Sequence, residues 1–360
     1  MKETDSASLD IDKLEQEINE QRNSLSTDRL DMSFGEIMSM YEKEEIIINP
    51  DFQRLFRWDS DQQTRFVESL LLGIPIPPIF VAENDEGKWE LVDGLQRTST
   101  ILSFFGILKT MPDKNLWVLQ EGERIPSLEG FNIETLPSKF KLNLKRGTCR
   151  IEIIRWNSKY DMRFELFNRL NTGGTPLTAQ EIRNCIYRGT SSKFNDFLKE
   201  LANSSEFLKL IDLDTSQIEE LYNEELVLRF FSLYSNHTSI RGSISQHMTE
   251  YMKDAISNPG YDYSGNIELF SKLTKILSQL DSSIFRHSNG AFATALYDTI
   301  VFGISKYIDI YDKASKDLLI QKIDEVKTDE VLIKFSRKGG NNQKSRIKNR
   351  LKEAQRIFGE

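Results

Sequence analysis

Cysteine and histidine are scarce in this 360-residue chain, which has Cys149 and Cys185 and only His237, His247 and His287. Two cysteines cannot build a disulfide framework or a cysteine-rich zinc site, and their rarity suits a reducing compartment. The histidines are widely spaced, without HxxH or HExxH, so histidine-based zinc hydrolysis has little material. GxxxxGK[ST], GxGxxG and GxSxG are also missing, which excludes the common phosphate-loop, dinucleotide and hydrolase-elbow signatures. No run approaches the roughly 20 apolar residues of a membrane helix, and MKETDSASLD has neither a basic start nor an apolar signal core. A cytoplasmic protein without membrane contact is expected. Positive charge is in deficit: 47 Lys and Arg against 55 Asp and Glu leave −8, so nucleic acid would have to meet a local basic patch.

What is present is a mixed text. Residues 1–30 are polar and acid-rich, with a weak helical pattern through Leu14, Ile18 and Leu25, and read as an arm. From 31 to about 190, short β-like runs (46–48, 79–81, 89–92, 149–154) mix with helical stretches (61–72, 98–108), which predicts an α/β or α+β domain. Asp59 or Ser60 is placed to cap the first of these helices, and IPIPP ends it. Over 191–336 the periodicity becomes helical, as in 218–234, 267–280 and 291–310, and a basic segment, 337–360, closes the chain. Phe230, Phe231 and Tyr234 are expected in the core of that helical domain.

Two segments concentrate chemistry. The first pairs Asn49–Trp58, which contains Gln53 and Arg54, with Leu91-Val92-Asp93-Gly94-Leu95-Gln96-Arg97-Thr98. A strand running through an Asp-Gly turn into a helix aims the helix's first N–H groups at one spot, and Gly94 lets an anion come close. Arg97 and Arg54 would add guanidinium donors, Gln96 could orient a water, and Asp93 could hold a metal ion or cap the helix. The same pattern is also ordinary punctuation between a strand and a helix.

The second segment is Arg163–Asn184. Gly173 can end one helix, and Thr178 with Glu181 forms a capping box for the next. Asn168, Arg169, Asn171 and Arg183 either scaffold this junction or face a ligand.

The order QRxxxW, helix, IPIPPIFV, LVDGLQRTSTI and LFNRLNTGGTPLTAQEIRN resembles the ParB-like N-terminal domain of the GmrSD family, from prokaryotic systems that restrict modified phage DNA. The resemblance spans roughly residues 33–190 and implies a fold similar to ParB and sulfiredoxin. It implies a nucleoside triphosphate site, with Mg²⁺, in which Asp93, Gln96 and Arg97 are catalytic, Asp93 also binds the metal, and Gln53, Arg54, Gly94, Thr98, Asn168, Arg169 and Asn171 hold the nucleotide. Leu95 departs from the family's DGQQR, which puts the first glutamine's contact in doubt. Complete systems of this kind add an HNH-type nuclease, and the chain's histidines offer no such unit. The expectation is therefore an NTP-hydrolysing component that does not cut DNA by itself and works with a separate nuclease or effector. The alternative is a non-enzymatic nucleotide- or DNA-binding regulator that docks an effector. A homo-oligomer is compatible with either.

The C-terminal segment is the basic patch expected to contact DNA, through Arg337, Lys338, Lys344, Arg346 and Arg350. A solvated helix balancing the acidic arm is the competing reading.

Overall fold

The computed structural model describes residues 10–22, 26–48, 58–84, 86–155, 166, 177–188, 192–240, 242–336 and 342–360. The chain divides into two compact units, 1–176 and 177–360. The boundary thus precedes the expected position near 190, and the segment read as closing the first domain contributes its last helix to the second.

The first unit is α+β. Its elements are α1 (Ile11–Arg22), β1 (Thr27–Ser33), α2 (Phe34–Glu42), β2 (Ile46–Ile47), α3 (Ser60–Leu71), β3 (Ile79–Glu83), β4 (Trp89–Asp93), α4 (Leu95–Phe104), α5 (Ser138–Arg146) and β5 (Thr148–Ile154). The five strands lie in the order β1-β5-β3-β4-β2. β1 pairs antiparallel with β5 (Thr27 opposite Ile154) and β3 runs parallel to β5 (Ile79 opposite Ile151). β4 is antiparallel to β3, with an irregularity at Phe80/Val81, and parallel to β2. One apolar core joins the sheet to α2, α3 and α4 through Phe34, Ile37, Phe66, Ile79, Leu91, Ile101 and Ile151. A second cluster, around Val67, Phe104, Leu119, Leu128 and Leu144, seats α5 and the long connection after α4.

Local chemistry explains the boundaries. Asp59 caps α3, accepting from Gln62 N at 2.8 Å, while the Gln62 side chain returns to Asp59 N, a complete capping box. Buried Glu68 on the same helix accepts N–H bonds from Arg124 and Ile125 at 2.8 and 2.7 Å, tying the connection to α3. The arm predicted through residue 30 is shorter, because 27–33 is the edge strand β1. Thr27–Asp31 all face solvent, so the strand shows no apolar alternation.

The described residues of the second unit are helical, apart from a β-bridge between Arg286 and Phe292. Its helices are α6 (Ala179–Arg188), α7 (Ser192–Ala202), α8 (Ser205–Ile211), α9 (Thr215–Glu219), α10 (Tyr222–Asn236), α11 (Ile244–Ser257), α12 (Tyr263–Leu277), α13 (Thr294–Lys306), α14 (Ile308–Tyr311), α15 (Lys316–Thr328), α16 (Glu330–Ser336) and α17 (Lys344–Gly359). The stretch read as one helix over 218–234 breaks at Leu221, whose φ is +59°. α10 and α13 are buried along most of their length, with Phe230 and Phe231 in the core and Tyr234 stacked on Phe230 at 5.8 Å.

Candidate functional site

The strand-turn-helix read from the sequence is present: β4 ends at Asp93, Gly94 turns the chain, and α4 begins at Leu95. Gly94 has φ +91°, and a Cβ there would lie 2.9 Å from Ile79 Cγ1 and 3.4 Å from Arg97 Nη2. Glycine is required both by the left-handed backbone and by the packing of β3 against the turn. Gly94 has no side chain to cap α4, and among the described residues no side-chain acceptor meets the helix's N-terminal partial positive charge.

Arg97 sits in the first turn, with its side chain only 12% exposed. Its Nη1 donates to the carbonyl oxygens of Pro77 and of Pro78, the latter at 3.1 Å, and Nη2 donates to Asp93 Oδ2 at 3.1 Å. The guanidinium therefore pins the IPIPP segment to the turn, which the sequence reading did not foresee. A guanidinium has five N–H donors, and these bonds use three. The Asp93 side chain is 43% exposed.

Gln96 Oε1 accepts from Trp58 N at 3.1 Å, while Gln63 Nε2 donates to Trp58 O at 3.0 Å. The backbone of Trp58 is thus held from both sides, and its ring packs 5.7 Å from Phe66. This fixes the entry to α3 against the start of α4. Thr98 was expected to touch the nucleotide, but the residue is buried, and its Oγ1 and that of buried Thr100 have no hydrogen-bond partner among the described residues. Cys149 on β5 also lies near this turn. Burial pushes its thiol pKa up, and the charge of Arg97 acts in the opposite direction.

The arrangement suits a phosphate oxygen near the first N–H groups of α4, with Arg97 and Asp93 alongside. A magnesium ion there would have Asp93 as a protein ligand and would draw its remaining ligands from phosphate oxygens and water. Among the described residues no three His, Cys, Asp or Glu side chains gather as a metal site.

Gln53, Arg54, Asn168, Arg169, Asn171, Arg337 and Lys338 lie outside the described residues. The capping box at Thr178 is present: Thr178 N donates to Glu181 Oε2 at 2.6 Å and Glu181 N to Thr178 Oγ1 at 3.2 Å. Arg183 is a correction to any ligand-facing role. It is fully buried, bonded to Gln180, Thr249, Ser245 and Glu225, and burial lowers its pKa. Neighbouring Asn184 donates to Glu224 at 2.7 Å.

Arg350 is a second correction. It was expected on DNA, yet it is fully buried, donating to Asp298 Oδ2 at 3.4 Å and to Phe335 O at 3.3 Å. Asp298 also takes two bonds from Arg229, at 2.6 and 2.7 Å. α17 is therefore a core helix of the second unit, burying Ile347, Leu351, Ala354, Ile357 and Phe358, rather than a separate basic segment. Lys344 stays exposed and Arg346 is half-buried.

Residues 34–188 match the family model for the GmrSD restriction endonuclease, N-terminal domain. The matched region takes in the sheet from α2 onward, the DGLQR turn and, past the division at 176, helix α6. No curated protein and no solved structure matches the chain.

Proposed function

We propose that this chain is a nucleotide-binding and NTP-hydrolysing component of a prokaryotic defence system that restricts modified DNA, working with a separate nuclease. The observation that carries the reading is the start of α4 behind left-handed Gly94, which has no side-chain cap among the described residues, in the region matching the GmrSD N-terminal domain. The triphosphate would lie at that helix start. Arg97 and the α4 N–H groups would meet the charge that develops on the transferred phosphoryl group, and Asp93 would hold Mg²⁺ or orient water. For the separate nuclease, His247 is buried in the helical unit with Nε2 3.1 Å from Ser232 O, and it is built into the core.

A second reading rests on the Arg97 contacts. Because Pro77 O, Pro78 O and Asp93 already engage the guanidinium, the turn could bind a nucleotide without turning it over and signal through a docked effector. Phosphate release from a panel of ribonucleoside triphosphates with Mg²⁺, with and without plain or modified DNA, separates the two. Asp93→Asn keeps an oxygen for Arg97 but removes the charge. Release in the wild type that falls at least tenfold in Asp93→Asn supports hydrolysis. Nucleotide binding without release supports the regulator, and neither binding nor release rejects both.

A further inference from the structure

Three of the cations at the C-terminus, Lys348, Arg350 and Arg356, are engaged within the protein, while Lys344 and Lys352 are exposed. Arg350 is buried on Asp298, and Lys348 Nζ donates to Thr238 O. Arg356 pairs with Glu325, Asp329, Glu353 and Glu360. The first unit holds a basic stretch of a different kind. From Thr135 to Ile151 there is no Asp or Glu, while Lys139, Lys141, Lys145, Arg146 and Arg150 occur within it, in a chain whose net charge is −8.

Most of that stretch is α5, which anchors itself by buried Leu144 and leaves most of its surface in water. Lys139, Leu142, Asn143 and Arg146 follow the i, i+3, i+4, i+7 spacing of one helical stripe, and all four are exposed. The two cations end this stripe about 10 Å apart along the axis. Neither has an ion-pair or hydrogen-bond partner among the described residues, whereas Lys141 donates to Glu134 O and Lys145 lies over the Phe105 ring. Phe140 flanks the stripe and is 41% exposed, and Leu142 lies within it at 46%. Cations interleaved with an exposed aromatic are what a polynucleotide strand requires: charge for its phosphates and a flat face for a base.

We propose that α5 is a nucleic-acid contact surface, with Lys139 and Arg146 on the phosphates and Phe140 against an unpaired base. This deepens the DNA-contact part of the reading above and rests on it, but does not depend on nucleotide hydrolysis. Duplex DNA would use the two cations alone, so single strands should bind more tightly.

Filter binding of the full chain to a labelled single strand and to its duplex, over a range of salt, tests the assignment. Lys139→Glu with Arg146→Glu should weaken both complexes by at least tenfold and flatten the salt dependence by roughly two contacts' worth of slope. Phe140→Ala should weaken the single strand by roughly fivefold or more and leave the duplex unchanged. Lys344→Glu with Lys352→Glu on α17 should change neither by more than about twofold. Lys139→Gln with Arg146→Gln, checked by thermal unfolding, guards against a folding defect and should shift binding in the same direction. Binding that is intact in the α5 variants overturns this inference alone. Absence of binding by the wild type overturns it together with the DNA part of the proposed function. Equal affinity for heparin, with no effect of Phe140→Ala, would reduce the surface to a polyanion contact and also reject it.

Discussion

Gly94 has a backbone only glycine adopts easily and a neighbour, Ile79, that leaves no room for a Cβ. Gly94→Ala should therefore lower stability by about 1–3 kcal/mol in urea unfolding, whatever it does to nucleotide binding. Arg97→Ala should also destabilise, by about 0.5–1.5 kcal/mol, because exposed Pro77 O and half-buried Pro78 O lose the Arg97 donor and return to water. A drop in activity in that variant says little until stability has been measured beside it. Sequence places Arg97 at the turn correctly, but its partners sit twenty and nineteen residues away, a distance no local spacing encodes. His247 gives a pH test. Burial lowers its pKa below the usual histidine value, so the unfolded chain takes up a proton before the folded one. Stability should be complete above about pH 6.5 and fall as the pH drops through the folded value. That loss should shrink in His247→Gln, followed by urea midpoints between pH 7.5 and 5.

At the scale of elements, α3 and α6 were legible to their caps, because Asp59 with Gln62 and Thr178 with Glu181 are local signals. β1 was not, since Thr27–Asp31 are exposed on both faces and Met32 is its one buried residue, leaving an apolar pattern of only Leu30 and Met32. α17 was misjudged, and α5 was not singled out at all. Counting cations along the C-terminus cannot show that Arg350 points inward, and the shorter acid-free run before β5 is hidden by the acidic segments around it. The buried group of Arg229, Asp298 and Arg350 makes α17 part of the core of the helical unit. Removing residues 337–360 would therefore strip that core, so it cannot serve as a clean probe of DNA contact. Asp298→Ala leaves two buried guanidiniums facing one another and should cost about 3–5 kcal/mol, measured by chemical unfolding. Arg350→Met, which keeps the Arg229 pair, should cost clearly less.

On the scale of the whole molecule, the sequence correctly separates an α+β first part from a helical second part. The division at 176 falls ahead of Gly189 and Thr190, which look like a linker, although the family match runs through residue 188. The division has a practical side: Trp58, Trp89, Trp117 and Trp156 all belong to residues 1–176, and the helical unit has no tryptophan. Indole emission therefore reports the first unit alone, whereas far-ultraviolet ellipticity is dominated by the second. If a triphosphate binds at α4, a hundredfold excess over Kd should add about 2.7 kcal/mol to the unfolding seen by emission. An emission midpoint unmoved by every triphosphate would speak against the site. Trp58, whose backbone N–H is tied to Gln96 beside the turn, is the ring whose emission should shift first.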